Sequence, residues 1–539
     1  MALLRVCGSS IFAFIIWRLI KRYRTPKSPL AHILGPKKEH WLKGNFHRIF
    51  QDGLRYNLDL VKQYGGAVKI YALLGVKALI LDQEQLYISD PLALHHIVVK
   101  EQNVYEETDM FIVGNRLIFG EGLIATLGEQ HRKQRKMLNP VFSLANMRDL
   151  LPVIQPIADQ LRTILMAKIP ADGSVVEVNL LPWVSRGALE YICQAALGHS
   201  FDALDPTKEN EYIEAIRTLA PSTLRLIFLR PFIPMIVRRF SLYWRNKMMD
   251  WMPSDALKNL RHVVNVMDTA SKNIFAEKKV TLENEGFVGN VGKCMKVRAN
   301  ASSSNDDRLT DSELLGQMNT IIFAGFETTT SATCRILWIL AEKQDVQARL
   351  RSEIRKAKRE YAAAQGLSGP WEDVEVPYDT LMALPYLDAI VRETLRVYPP
   401  TSLLSRTARQ ASVLPLHQPI RSASGEMISS IYVPENTTLI ISILASNHNK
   451  EIWGEDASEW RPERWLSPSG ERLHLGDGEG DSMSGGIKDG MKYPGVYGLI
   501  RAESRGERRM TFLGGGRACI GFKFAEMEIS TLSCLFRMQ

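Results

Sequence analysis

The sequence predicts a mostly helical α+β domain, and three observations carry that reading. Thr310-Asp311-Ser312-Glu313 has the form of a capping box, and the helix it opens runs to about Leu340, long enough to cross a whole domain. Near the end of the chain Phe522, Ala525, Ile529, Leu532 and Phe536 recur at 3,4,3,4 spacing, the period of an amphipathic helix. By contrast, Ala67–Leu74 and Lys77–Ser89 are β-branched or alternating, which predicts a small antiparallel sheet around a turn at Gly75.

Composition bounds the function. A chain of 539 residues, 45% of them hydrophobic, buries a large core, and length alone allows two to four domains. Six unevenly spaced cysteines form no disulfide framework, so a reducing compartment is expected for most of the chain. The net charge of +8 is scattered, with no basic arm and no zinc-ligand spacing, which argues against nucleic acid as a partner. An acidic protein or an anionic membrane surface fits such a charge better.

In chain order, residues 1–20 are mostly apolar, from Ile11 to Trp17 and again at Leu19-Ile20, and Lys21, Arg22, Arg24 and Lys27 follow. This predicts an N-terminal membrane anchor in which Arg18 reaches back to the interface; the basic residues stand where a cleaved signal peptide needs small ones. The positive-inside bias then leaves the following domain cytoplasmic. Residues 21–45, with Pro26, Pro29 and Gly35-Pro36, read as a stiff linker to a domain over residues 46–539. Phe46–Tyr64 is helical in pattern, and Asp90-Pro91 sets an N-cap before a first-turn proline, opening a helix to about Val99. Lys100–Gly128 reads as irregular, residues 145–280 as a series of helices, and Glu283–Asp307 as a polar surface connection.

Within this frame a few stretches carry chemistry. In the run from His131 to Lys136, His131 and Arg135 are one turn apart and can aim donors at one anion, although such a run also suits a solvated face. In the middle of the long helix lies Ala324-Gly325-Phe326-Glu327-Thr328-Thr329. Gly325 would let a flat ligand or O2 approach the backbone, and Thr328 can bond back to the Ala324 carbonyl and locally open the helix. Glu327 and Thr328 pair an acid with a hydroxyl, the parts of a proton relay. Taken alone, the same residues describe a core helix weakened by glycine.

The densest stretch is Phe512-Leu513-Gly514-Gly515-Gly516-Arg517-Ala518-Cys519-Ile520-Gly521. The three glycines can bring N–H groups close to the Cys519 sulfur, Arg517 offers a planar fork to a carboxylate, and the following helix presents its positive end to the thiol, lowering its pKa. Phe512, Gly515, Arg517, Cys519 and Gly521 match the haem-binding signature Phe-x-x-Gly-x-Arg-x-Cys-x-Gly at every fixed position. From roughly residue 40 to its end, the chain resembles a haem-thiolate monooxygenase of the cytochrome P450 superfamily.

The resemblance implies a cytochrome P450 fold holding haem b, with Cys519 as the axial ligand of the iron; a thiolate there favours O–O cleavage. It implies propionate contacts from Arg517, Arg135 and Arg406, and from His131, which stands where the family commonly has Trp. Gly325, Glu327 and Thr328 match the oxygen-side motif Ala/Gly-Gly-x-Asp/Glu-Thr. Glu393 and Arg396 match Glu-x-x-Arg, whose third partner is Arg464 in Pro462-Glu463-Arg464-Trp465, with Trp for the usual Phe. Arg132, Lys133 and Lys136 would face outward toward an electron donor. The implied reaction is oxygenation of a lipophilic small molecule with electrons from NADPH–cytochrome P450 reductase, at the endoplasmic reticulum membrane with the haem domain facing the cytosol; the motif wording is similar to membrane-bound fungal members. Two features depart from the family. Six of the nine residues Arg501–Arg509 are charged, and only twenty residues follow Cys519, so a truncated C-terminus is expected. An idle haem-binding protein and a haem-thiolate isomerase or dehydratase are therefore the alternatives.

Overall fold

A computed structural model of the chain describes residues 29–40, 43–71, 84–172, 174–208, 211–227, 229–285, 309–472 and 510–535. Residues 1–20, the turn at Gly75, most of Glu283–Asp307 and the charged stretch Arg501–Arg509 lie outside the described residues. Helices dominate, and two small sheets flank them.

The strands are β1 (Ala67–Tyr71), β2 (Glu84–Ile88), β3 (Tyr105–Glu106), β4 (Leu403–Ala408), β5 (Ser412–Arg421), β6 (Met427–Val433) and β7 (Thr438–Ser442). The larger sheet has the order β1-β2-β7-β4-β3; β5 and β6 form the other. β1 and β2 pair antiparallel as expected, but β2 also pairs parallel to β7, with Leu86, Tyr87 and Ile88 opposite Leu439, Ile440 and Ile441. The buried Tyr87 hydroxyl donates to Asn57 Oδ1 at 2.7 Å and lies 2.7 Å from Ser442 Oγ, tying β2 to Asn57 and to the end of β7 inside the core.

The stretch Phe46–Tyr64 divides into two helices, Phe46–Gln51 and Gly53–Tyr64, because Gly53 takes φ +47° between them. Asp90 caps the helix Pro91–His95 by accepting from Ala93 N at 2.9 Å. The same carboxylate accepts from His417 N and Gln418 N of β5, so it also fixes the second sheet. Part of the expected linker belongs to the globule: Leu30 and Ile33 are buried, and the Leu34 carbonyl accepts from Lys69 N at 3.0 Å.

The stretch 100–128 is more regular than its pattern predicts. It holds a helix, Asp109–Phe119, capped by Thr108 and stopped by Gly120 at φ +86°. Its cap and stop signals are legible, whereas Ile112, Val113 and Gly114 in between are poor helix formers that tertiary packing overrides.

The long helix runs unbroken from Asp311 to Glu342, with the Thr310–Glu313 capping box formed in both directions. Its first turn is also pinned from the basic helix Gly128–Leu138, where Gln130 and Gln134 donate to Glu313 Oε1 at 3.1 and 3.0 Å. A Cβ on Gly325 would stand 2.8 Å from Ile192 Cγ1, so glycine here permits close packing on the helix Leu181–Ile192. Among the described residues no single helix is long and apolar enough to cross a membrane.

Candidate active site

The Cys519 loop is shaped by contacts on its outer side. Leu513 sits at φ +57° and Gly515 at φ +66°, two left-handed residues that turn the chain back so that Cys519 N donates to the Phe512 carbonyl at 2.8 Å. A Cβ on Gly515 would meet the Val98 carbonyl oxygen at 2.1 Å, and Gly516 N donates to Gln102 Oε1 at 2.7 Å. Gly515 and Gly516 therefore let the loop lie against residues 98–102, instead of supplying their N–H groups to the sulfur. The N–H that reaches the Cys519 sulfur is that of Gly521.

Burial pushes the Cys519 thiol up, and the Gly521 N–H and the Arg135 charge pull it back only in part, so the expected net lowering by the helix terminus is not what this environment produces. Cys519 has accessible surface, and it lines a cavity of about 270 Å³. Ala324 and Thr328 of the long helix line the same cavity, with Phe142, Ile321 and Phe524 among its apolar walls.

Thr328 Oγ donates to the Ala324 carbonyl at 2.7 Å, as expected, yet the helix stays regular there and does not open. Gly325 lines the cavity with its backbone. Glu327 is half-buried outside the cavity lining; burial raises its carboxyl above the usual range, and the one charge acting on it is Arg217.

The predicted anion-binding residues converge beside the cavity. Arg135 donates to the Ala518 carbonyl at 2.6 Å, one residue before Cys519. Arg517 lines the cavity, donates to the Thr126 carbonyl at 2.9 Å and lies 3.3 Å from Glu106 Oε2, while its buried Nε has no partner. Arg406 is buried and pairs with Glu107 at 2.8 Å. His131 is buried between Arg135 and Arg517, and desolvation with those two charges lowers its pKa to about 3, so it is a neutral hydrogen-bonding group near pH 7. Three guanidinium groups against two carboxylates, with one buried Nε left without a partner among the described residues, fit an additional acidic group there; a porphyrin with propionates meets that need.

Behind the loop, Glu393, Arg396 and Arg464 meet as expected. Arg396 forks onto Glu393 at 2.7 and 2.8 Å and donates to the carbonyls of Asn447, Ala457 and Glu459. Arg464 Nε reaches Glu393 Oε1 at 3.5 Å. Trp465 Nε1 donates to Glu393 Oε2 at 3.0 Å, a bond that Phe at this position would lack. The network is joined to the cysteine loop: Asn447 Nδ2 bonds Thr511 Oγ at 3.1 Å, and Thr511 in turn donates to the Leu395 carbonyl.

One buried group escaped the sequence reading. Glu528, on the helix Phe522–Leu535, is fully buried, accepts from Thr329 Oγ at 3.1 Å and is pushed well above the carboxylate range by burial. The signal was present: Glu528 stands three residues after Ala525 and four before Leu532, on the buried face.

A sequence model of the cytochrome P450 family matches residues 34–536. Cytochrome P450 monooxygenase 91 of Postia placenta is 41% identical over 98% of this chain and 90% of its own length, and monooxygenase 219 of the same fungus is 39% identical over 93% and 86%. Ganoderic acid synthetase CYP5150L8 of Ganoderma lucidum is 33% identical over 96% of this chain and 89% of its own. The chain belongs to the cytochrome P450 family and to its monooxygenase class. Family membership brings haem as cofactor, a redox partner and a lipophilic substrate.

Proposed function

We propose that the chain binds haem b through the Cys519 thiolate and, with electrons from NADPH passed on by NADPH–cytochrome P450 reductase, converts a lipophilic substrate RH, O2, NADPH and a proton into ROH, water and NADP+. The supporting observation is that Cys519 and Thr328, which are 191 residues apart in the chain, line one and the same cavity.

Bound haem supplies the oxidising chemistry, and the residues of the chain supply its surroundings. Cys519 gives the donor sulfur, which the Gly521 N–H steadies as an anion. Arg517, Arg135 and Arg406, with neutral His131, hold the propionates. Thr328 presents a hydroxyl to the reacting volume, and Glu327, whose raised pKa suits a proton donor, takes protons from the Arg217 side and passes them inward. Phe142, Ile321 and Phe524 give the reacting volume an apolar lining. Residues 1–20 anchor this domain at the endoplasmic reticulum membrane, with the basic residues from Lys21 onward on the cytosolic side. Exposed Arg132 and Lys136 suit docking of an acidic reductase.

The test is a reduced, CO-bound absorption spectrum followed by turnover of a lipophilic panel with and without reductase. A thiolate-type spectrum and product that requires both NADPH and reductase are expected. A thiolate spectrum with no NADPH consumption above background would instead identify an idle haem protein, and turnover indifferent to NADPH an isomerase or dehydratase.

A further inference from the structure

A second cavity, of about 830 Å³, lies outside the first. Its walls come from the Phe46–Gln51 helix, the start of the Asp109–Phe119 helix, residues 224–227 and 230–239, and strands β4 and β7. Leu404 lines both cavities, so that side chain is a wall they share. The lining is largely apolar, with Phe46, Ile49, Phe111 and Ile227 among its walls, and its charges are one-sided: Arg230, Arg238, Arg239 and Arg409 against Asp109 alone, a net of +3.

Asp109 is already engaged. Arg409 donates to it at 2.8 Å and Arg238 at 3.0 Å. Arg239 is exposed. Arg230 differs from these three arginines: it is half-buried, makes no hydrogen bond or ion pair with any described residue, and only desolvation acts on it. Arginine keeps its charge in such a place, so the cavity wall contains a partly desolvated cation with no counter-ion among the described residues. A ligand carboxylate would complete it with two parallel hydrogen bonds, while the ligand's apolar body covers the remaining wall.

We propose that the substrate is an amphipathic carboxylic acid, its carboxylate held by Arg230 in the outer cavity and its apolar body directed past Leu404 toward Cys519. Its oxidation, though not its binding, rests on the monooxygenase reading above. Reaction is then expected at carbons remote from the carboxylate.

Binding of three acids, each against its methyl ester, tests this without turnover. Hexadecanoic acid, 4-hexylbenzoic acid and a triterpenoid acid are titrated calorimetrically into the full-length haem protein in detergent, without NADPH or reductase, for the parent, Arg230→Leu and Arg230→Lys. At least one acid is expected to bind the parent about tenfold or more tightly than its ester, a difference of ~1.4 kcal/mol. Arg230→Leu removes that preference with ester affinity unchanged, and Arg230→Lys retains part of it. No acid preferred by the parent, or the same preference in parent and Arg230→Leu, overturns the proposal. Flotation with phosphatidylcholine–phosphatidylserine vesicles runs in parallel: if Arg230→Leu weakens vesicle binding and leaves the acid–ester ratio intact, the arginine serves a lipid headgroup and the proposal falls. Acid preference without any NADPH-dependent product would remove the monooxygenase reading alone, whereas NADPH-dependent product from neutral compounds with no acid preference would remove this one alone.

Discussion

Arg396 and Arg230 are both withdrawn from solvent, but on opposite terms. Behind Cys519, Arg396 donates to two carboxylate oxygens and three backbone carbonyls, and Glu393 accepts in addition from Trp465 and from Arg461 N. Around the outer cavity, Arg230 has no partner among the described residues, and the lining it belongs to is largely apolar with an excess of arginine. The first environment has a single arrangement, because moving any member strands a buried charge. The second is left incomplete and is completed by what enters it. A catalyst that must hold its cofactor sulfur rigidly and still admit a large substrate needs both: a saturated polar network on one side of the cofactor and an unsaturated, adaptable cavity on the other.

That contrast can be broken most completely at the sulfur. Cys519→Ser is expected to abolish the thiolate-type CO spectrum, since a neutral hydroxyl does not replace the sulfur anion as donor. Cys534→Ala, at a buried position on the helix Phe522–Leu535 that follows, is the control and retains it. An unchanged spectrum in Cys519→Ser would remove the ligation assigned here.

The saturated side breaks next. Glu393→Ala strands Arg396 and Arg464 as buried charges and is expected to cost about 3–5 kcal/mol, with haem incorporation falling in step. A denaturant midpoint that places the loss within ~1 kcal/mol of the parent would mean that the network behaves like an exposed ion pair.

At the boundary between the two regions, Thr328→Ala removes the hydroxyl that faces the cavity and keeps the backbone and the sulfur. Product formation is expected to fall on the order of 10²-fold while NADPH consumption continues, with hydrogen peroxide released in place of product. Recording NADPH, peroxide and product together checks this, and unaltered coupling would remove Thr328 from proton delivery.

The smallest expected effect sharpens the comparison. Trp465→Phe deletes one donor to Glu393 and leaves the Arg396 fork, so a loss of about 1.5 kcal/mol is expected, with the spectrum intact. A loss as large as that of Glu393→Ala would show that the network fails as a unit.

The legible part of this protein was local. The capping box at Thr310–Glu313, the N-cap at Asp90-Pro91 and the helix after Cys519 follow from side chains within four residues of one another, and each formed. Asp109–Phe119 was missed because its interior is a poor helix former, and only contact with the neighbouring elements makes it helical. Glu528 was passed over as one acid in an apolar run, although its register on the helix placed it inward.

The sequence by itself determined the chemistry of the site: a cysteine in a glycine-rich turn, an acid and hydroxyl in a long helix, and the Glu393–Arg396 pair, each a matter of residue type at short spacing. Tertiary structure decided what each residue serves. Gly515 and Gly516 proved to be clearances for Val98 and Gln102, Gly325 a clearance for Ile192, and Gly521 the donor to the sulfur. It also decided that Tyr87 meets Ser442 and that Arg135 meets Ala518, contacts spanning 355 and 383 residues. Spacing along a chain dictates dihedral preference and periodicity, which act over a few residues. Which carbonyl lies where a Cβ would otherwise stand, and which arginine is left without a carboxylate, depend on how distant segments pack, and the packed molecule alone contains that information.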